Sequence, residues 1–249
     1  NQFRGAAWEF FRDERLNATG FFKPQSGEKP PRTRNQYGFV FGGPIIQNRA
    51  FFFVDYEGFR RTRENVTFST IPNARQRAGI LGVDVRDPRT GALYPAGTPI
   101  PMTPFAARVL GALPDPNVDR AANNYEILQQ FTNHNDKYSA KFDVQMSPNL
   151  RSFARLGYRN VDISDQPPIP LPSGGAGNGF TYVKSLQLAT GLTWTPADDQ
   201  LFEVRFGYSR TEAGKNPPAL GTPGADVEYG ITGLPTDPRV AGGLPAQII

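Results

Sequence analysis

Residues 34–63 read RNQYGFVFGGPIIQNRAFFFVDYEGFRRTR, and the spacing of their rings decides the fold. Side chains of a β-strand alternate between two faces. In the first half Tyr37, Phe39 and Phe41 therefore share a face opposite Gln36, Gly38 and Val40, and in the second half Phe52, Val54 and Tyr56 lie opposite Phe53, Asp55 and Glu57. Between them Gly43-Pro44-Ile45-Ile46-Gln47-Asn48 supplies residues that favour tight backbone angles and a proline that cannot donate to a ladder. The stretch predicts a hairpin with strands near 34–43 and 50–60, aromatic on one face and polar on the other.

A face so rich in rings needs a cover. A second sheet would provide it in a soluble β-sandwich, and lipid would provide it on the outside of a transmembrane β-barrel with a polar lumen. Composition leaves both open. Of 249 residues 38% are hydrophobic and mean hydropathy is −0.46, yet a barrel strand needs only about 9–11 residues with every second one apolar. No run of about 18 or more apolar residues occurs, so no transmembrane helix is expected. No signal peptide opens the chain, and it begins at Asn1 already in a strand-like pattern, as an internal piece of a longer protein would. The absence of cysteine excludes disulfides, zinc ribbons and thiol chemistry. Net charge +4 and a pI near 9.4 are mildly basic. Lys and Arg are spread singly beside Asp and Glu, so a nucleic-acid surface is not expected.

Along the chain the same alternation recurs near 3–11, 136–146, 151–160, 183–194 and 201–211. The first of these places Arg4, Ala6, Trp8 and Phe10 in one row. In 136–146 Tyr138, Ala140, Phe142, Val144 and Met146 oppose Lys137, Ser139, Lys141, Asp143 and Gln145, a polar row without exception. Phe153 is the imperfect member of the polar row in the next strand. Leu186, Leu188, Thr190, Leu192 and Trp194 then oppose Ser185, Gln187, Ala189, Gly191 and Thr193, and Phe202, Val204, Phe206 and Tyr208 oppose Glu203, Arg205, Gly207 and Ser209. Residues 64–135 lose the alternation and are punctuated by proline, which predicts one very long loop. Within it Thr103-Pro104 reads as a helix N-cap followed by proline at the first helical position, with Phe105, Val109, Leu110 and Leu113 at helical spacing; a second short turn of helix is expected at 73–78.

Short connections near 44–49, 147–150 and 195–200 alternate with long ones at 17–33, 64–135, 162–181 and 213–249. The expected fold is all-β: an antiparallel up-and-down meander of about seven strands, a partial transmembrane β-barrel with short turns at one edge, long loops at the other and a short helix in the longest loop.

The order Asn17, Phe21-Phe22, Pro24, then RNQYGFVFGGPI and AFFFVDYEGFR, resembles TonB-dependent outer-membrane receptors of the Oar-like group. The similarity continues through Thr70-Ile71-Pro72, Arg77, Gly79, the helix before Leu113-Pro114 and Asn123-Asn124-Tyr125, and beyond about Thr132 it rests on pattern alone. The resemblance implies a plug inside a barrel of about 22 strands, preceded in this group by a small β-domain. It makes residues 1–249 a part of the barrel wall that starts just after the plug, in the cell outer membrane. The implied work is movement of a bulky solute, energised by the TonB complex through the plug, with outer-membrane lipid and lipopolysaccharide as partners. The alternative function is a soluble secreted β-sandwich that binds glycan through its aromatic rows and long loops.

Candidate sites follow from the rows. Tyr37, Phe39, Phe41, Phe52, Val54, Tyr56, Phe142, Leu188, Trp194 and Phe206 are expected to face lipid, and Asp55, Glu57, Lys141, Asp143, Glu203 and Arg205 to line the lumen. Arg60, Arg61 and Arg63 are expected to meet anionic lipopolysaccharide groups at the outer end of their strand. Trp8, Tyr56, Tyr158 and Trp194 are candidates for aromatic girdles. No enzyme, metal site or cofactor is expected: His134 is the single histidine, Asp55 and Glu57 read as lumen acids rather than a glycosidase pair, and SGGAGNG at 173–179 lacks the spacing of a dinucleotide loop. Asn17-Ala18-Thr19 and Asn65-Val66-Thr67 match a glycosylation pattern that carries no meaning in a bacterial outer-membrane protein.

Overall fold

A computed structural model describes the chain except for residues 22, 171–177, 225–227 and 245–249. Most of the SGGAGNG stretch, at 173–177, lies outside the described residues, as does the second member of the Phe21 pair. One seven-stranded antiparallel sheet dominates, built from β1 (Arg4–Asp13), β2 (Arg32–Ile46), β3 (Ala50–Ser69), β6 (Tyr125–Ser147), β7 (Leu150–Asp165), β8 (Gly179–Ala197) and β9 (Gln200–Asn216). Its spatial order follows the chain, β1-β2-β3-β6-β7-β8-β9, so it is a pure meander. β1 and β9 are its two edges and do not pair with each other. The insertion between β3 and β6 holds α1 (Ala74–Arg77), the two-residue strands β4 (Val85–Arg86) and β5 (Leu93–Tyr94), and α2 (Pro104–Gly111).

Both helices start where their caps predict. The Asn73 side chain accepts from Gln76 N and the Gln76 side chain answers to the Asn73 backbone, a reciprocal pair that holds the single turn of α1. Thr103 caps α2 through Ala106 N, with Pro104 in the first turn, and the helix ends at Gly111, a little short of Leu113.

The strands outrun their hydrophobic pattern. β3 and β6 pair without interruption from Ala50↔Val144 to Ser69↔Tyr125, so the expected long loop of 64–135 shrinks to 70–124. The connection expected at 162–181 likewise shrinks to 166–178, whereas that expected at 17–33 runs from 14 to 31 and opens on a single 3-10 turn, Glu14–Leu16. Beyond Arg60 both rows of β3 are polar or mixed, so alternation vanishes while the backbone ladder continues. Periodicity reports a difference between faces and is silent where there is none. The hairpin of β2 and β3 is also tighter than its turn residues suggest: the ladder runs on to Ile46, and Asn48 turns the chain at φ 59°.

Each short turn is entered through a register shift, at Pro44/Ile46, Gln145/Ser147 and Trp194/Ala197. A bulge leaves one residue unpaired and increases local twist. That explains how Pro196 sits near a strand end without breaking a ladder to which it cannot donate, while Pro44 keeps its place opposite Phe51 and the skipped residue is Ile45.

A second regularity is invisible to alternation. Aromatic residues stand directly opposite glycine on the neighbouring strand: Trp8 opposite Gly38, Tyr37 opposite Gly58, Phe53 opposite Gly42, Phe153 opposite Gly191 and Tyr182 opposite Gly214. A Cβ on Gly191 would lie 2.5 Å from the Phe153 ring, and one on Gly214 2.6 Å from the Tyr182 hydroxyl. The rings lie down over the strand in the slot that a missing side chain leaves. Phe153, the misfit of its polar row, is thus placed by Gly191.

Gly191→Val should destabilise the fold by about 1–3 kcal/mol through overpacking against that ring. Most of the loss should disappear when the same change is made in a Phe153→Ala background, followed by urea unfolding with tryptophan fluorescence. An undiminished cost in the double variant would show that the ring does not occupy the slot.

Candidate functional site

Register turns the rows of the sequence into two continuous faces. Phe39↔Tyr56↔Tyr138↔Tyr158 stand in one cross-strand row, Phe41↔Val54↔Ala140↔Leu156↔Leu188↔Tyr208 in the next, and Gly43↔Phe52↔Phe142↔Ala154↔Thr190↔Phe206 below. A row through Trp194↔Phe202 closes the band near the short turns. Every residue expected to face lipid, from Tyr37 to Phe206, falls on this one face. The band from Leu186 to Trp194 is about 26 Å long along the strand at roughly 3.3 Å per residue, the scale of the apolar belt of a transmembrane barrel, about 25 Å.

Nothing among the described residues covers it. Phe206 is 58% exposed, Leu156 48% and Trp194 46%. Among the described residues the only other sheet is the β4–β5 pair, far too small to be the second layer of a sandwich. The buried side chains lie largely in the loops, among them Ile71, Val109, Leu113, Tyr229 and Leu244.

The upper margin of the band is aromatic and then polar. Ring centroids of Tyr56 and Tyr138 are 4.9 Å apart, and those of Tyr138 and Tyr158 6.2 Å. Above them the Tyr56 hydroxyl donates to Asp136 Oδ1 at 2.7 Å, and Arg60 Nη2 donates to the same carboxylate at 2.7 and 2.9 Å. Arg60 Nη1 also donates to the Phe59 and Asn135 carbonyls. Amphipathic rings followed by a fixed ion pair are what a boundary between hydrocarbon and headgroups selects.

Two sequence assignments are corrected by parity. Arg60, Arg61 and Arg63 do not form one cluster: Arg60 shares the face of Tyr56, whereas Arg61 and Arg63 share that of Asp55 and Glu57. Neighbours along a strand cannot face the same way. Trp8 likewise leaves the girdle with Tyr56, Tyr158 and Trp194, because its partner Gly38 lies on the polar face of β2. On the apolar side of β1 Phe3 stacks on Phe41 at 5.9 Å.

The polar face carries charges on most of its strands, interrupted by Phe53, Phe153 and glycines, and is self-paired in part. Lys141 Nζ lies 2.8 Å from Asp143 Oδ1, and Arg205 Nη2 2.7 Å from Glu203 Oε1. The Ser139 hydroxyl donates to Asp55, and Lys141 sits 5.7 Å above the Phe153 ring. Asp55, Glu57, Lys141, Asp143, Glu203 and Arg205 all lie here, spread over three strands, β3, β6 and β9, rather than gathered in one pocket. His134 is on the other face, opposite Arg60 and Asp162.

The 70–124 insertion is framed by the residues that carry the family resemblance. The buried Asn124 donates to Ile71 O at 2.8 Å and accepts from Ile71 N at 2.9 Å. Thr70 Oγ1 accepts from Asn123 N, whose backbone is left-handed at φ 51°. Arg77 donates to the Pro72, Leu113 and Pro114 carbonyls and lies 3.4 Å from Asp115. Gly79, at φ 75°, leaves room that a Cβ would close to 2.7 Å from Ile100 O. A small cluster of Val109, Tyr229 and Leu244, with Phe105 packed on it, ties α2 to the segment after β9. Burial, and then the Glu228 carboxylate, push the Tyr229 phenol above its ordinary value.

An uncovered apolar belt of membrane height, a charged opposite face, and short turns at one edge with long loops at the other define the wall of a transmembrane β-barrel. The whole chain, residues 1–249, matches the family model described as outer membrane beta barrel domain, and it belongs to that family. Its place is the cell outer membrane. No curated protein and no solved structure matches it.

Asn124→Leu removes both partners of the buried Ile71 peptide and should cost about 2–4 kcal/mol of local stability. The expected sign is rapid protease cleavage within 70–124 while the sheet keeps its folded gel mobility. Equal protease resistance in the variant would mean that the loop is framed elsewhere.

Proposed function

We propose that this chain forms part of the barrel wall of a TonB-dependent outer-membrane receptor that moves a bulky solute across the membrane. The supporting observation is the union of two things in one chain: the barrel wall itself, and a loop frame made of Ile71, Arg77, Gly79, Asn123 and Asn124, the residues through which the sequence resembles the Oar-like group. On this reading the Tyr37–Phe206 face lies against lipid and the Asp55, Glu57, Lys141, Asp143, Glu203 and Arg205 face lines the lumen. Arg60, fixed by Asp136, meets the anionic headgroups of lipopolysaccharide, and Arg61 and Arg63 turn inward. The long loops stand outside the cell and the short turns in the periplasm. The piece acts as wall and gate rather than as an enzyme, and a plug contributed from outside these residues contacts the TonB complex.

The receptor reading is tested by binding. The intact protein that carries this segment should retain the purified C-terminal domain of TonB on a column, and a variant lacking the plug should not. Failure of the intact protein to bind it sinks the receptor assignment while leaving the barrel untouched.

The lipid assignment is tested at Phe142, midway along its strand. Phe142→Arg should cost roughly 2–4 kcal/mol near the bilayer midplane, whereas Lys141→Ala should cost far less. Phe142→Leu should be nearly neutral, because lipid adapts to a smaller side chain and a close-packed protein core does not. Folding into lipid vesicles, read from the mobility of unheated samples, gives the comparison. A Leu variant impaired as much as the Arg one would place Phe142 against protein.

A further inference from the structure

Near the loop-side end of β1–β3 the polar face carries arginines directly opposite one another. Arg12 pairs with Arg34 and Arg34 with Arg61 in one row, and Arg32 pairs with Arg63 in the row beyond. Like charges placed opposite are destabilising by themselves. None of the five makes an ion pair among the described residues, although Arg12, Arg32, Arg34 and Arg63 all act electrostatically on Arg61. Glu14 is close, but its carboxylate accepts from the Arg32 backbone N–H at 3.0 Å. Asp165, on the same face, is separated from Arg63 by Phe131.

Two of the five guanidinium groups, those of Arg34 and Arg63, are held against rings. Arg34 lies 5.2 Å from the Phe59 ring centroid and donates to Gln36 Oε1 at 2.7 Å. Arg63 lies 4.7 Å from the Phe131 centroid. Stacking on a ring fixes a guanidinium plane while leaving its edge N–H groups available. Arg63 Nε and Asn133 Oδ1, which stands opposite Arg61, are buried with no partner. Turning the Asn133 amide end for end makes both of them donors, which is what an entering oxyanion would satisfy.

We infer that Arg12, Arg32, Arg34, Arg61 and Arg63 form a binding site for a compact polyanion, carrying phosphate or carboxylate groups, on the inner wall of the barrel near its loop-side mouth. The site's position in a water-filled lumen rests on the face assignment proposed above. Adjacent strands are about 4.8 Å apart and alternate residues along a strand about 6.7 Å. The arginines thus make a grid that matches oxyanion groups joined by a few bonds and that offers bidentate contacts. A cavity of about 380 Å³ opens beside the grid, bordered by Arg12, Arg32 and Lys29 and also by the carboxylates of Glu14 and Glu64, so the site proper is the arginine face and not this cavity. The positive grid therefore gives the solute that it would receive a sign, negative.

The probes are inorganic pyrophosphate and tricarballylate, titrated calorimetrically into the protein folded in zwitterionic detergent. At least one should bind, more weakly as salt rises. Arg61→Gln/Arg63→Gln should weaken that binding at least about tenfold, and Arg61→Lys/Arg63→Lys, which keeps charge and loses the fork, by less. Arg151→Gln/Arg155→Gln, on the same face but far from the grid, should stay within about twofold of the wild type, as a local site and not a general positive field requires. Which probe binds identifies the oxyanion as phosphate or carboxylate. No binding of either probe at millimolar concentration, or equal losses in the grid and control variants, overturns the site. Face assignment is read separately with an impermeant maleimide in vesicles. Labelling of Ala189→Cys but not Leu188→Cys upholds the lumen, so a failed titration then sinks the anion site alone, whereas the reverse pattern sinks the lumen assignment itself.

Discussion

The backbone ladder is the constraint on which the rest depends. A peptide group left unpaired in hydrocarbon costs several kcal/mol, so a wall with one face uncovered must pair every strand along its whole membrane height. The seven-stranded meander does so from β2 to β8, with β3 and β6 matched from Ala50↔Val144 to Ser69↔Tyr125. The outer edges of β1 and β9 remain unpaired here, and closure of a barrel requires a partner strand at each. The apolar belt, the bulged turns and the polar strand extensions are consequences of keeping that ladder intact while the surroundings change along it.

Side chains then adapt to a sheet that has no second layer to pack against. In a sandwich the rings of Phe153, Phe53 and Tyr182 would interdigitate with an opposing sheet. Here they lie flat over Gly191, Gly42 and Gly214 on the next strand. Each pair swaps layer-to-layer contact for contact within one layer, and pins register because a slip of one residue would drive a ring into a side chain. The same economy of depth explains why the buried residues gather in the loops, around Ile71, Val109 and Tyr229, where a little three-dimensional packing is possible.

The charged face shows two regimes. Near the short turns Lys141 with Asp143 and Arg205 with Glu203 neutralise each other along single strands. Near the loops the grid from Arg12 to Arg63 has no such partners among the described residues, and its rings orient the guanidinium groups instead of neutralising them. If this face lines a lumen, as proposed above, paired charge below and unpaired positive charge above would give an anionic solute a direction, an outer station followed by a less attractive passage.

Alternation in 34–63 and 136–146 is enough to place the cores of those strands and their apolar side, because period two is a local consequence of backbone geometry. Thr103-Pro104 located the start of one helix for the same local reason, and the short turn expected at 73–78 is found with Asn73 as its cap. Two things could not be read that way. Where strands run past the apolar belt, at 64–69 and 125–135, both faces are polar or mixed and the pattern carries no signal, so only the ladder reveals them. Which residues of different strands share a face also depends on register, a long-range property. It separates Arg60 from Arg61 and Arg63, sends Trp8 to the polar face, and assembles arginines from positions 12, 32, 34, 61 and 63 into one grid. The chain's local chemistry determined what each strand is; pairing between strands, through hydrogen bonds that no local pattern encodes, decided what the wall presents to either side.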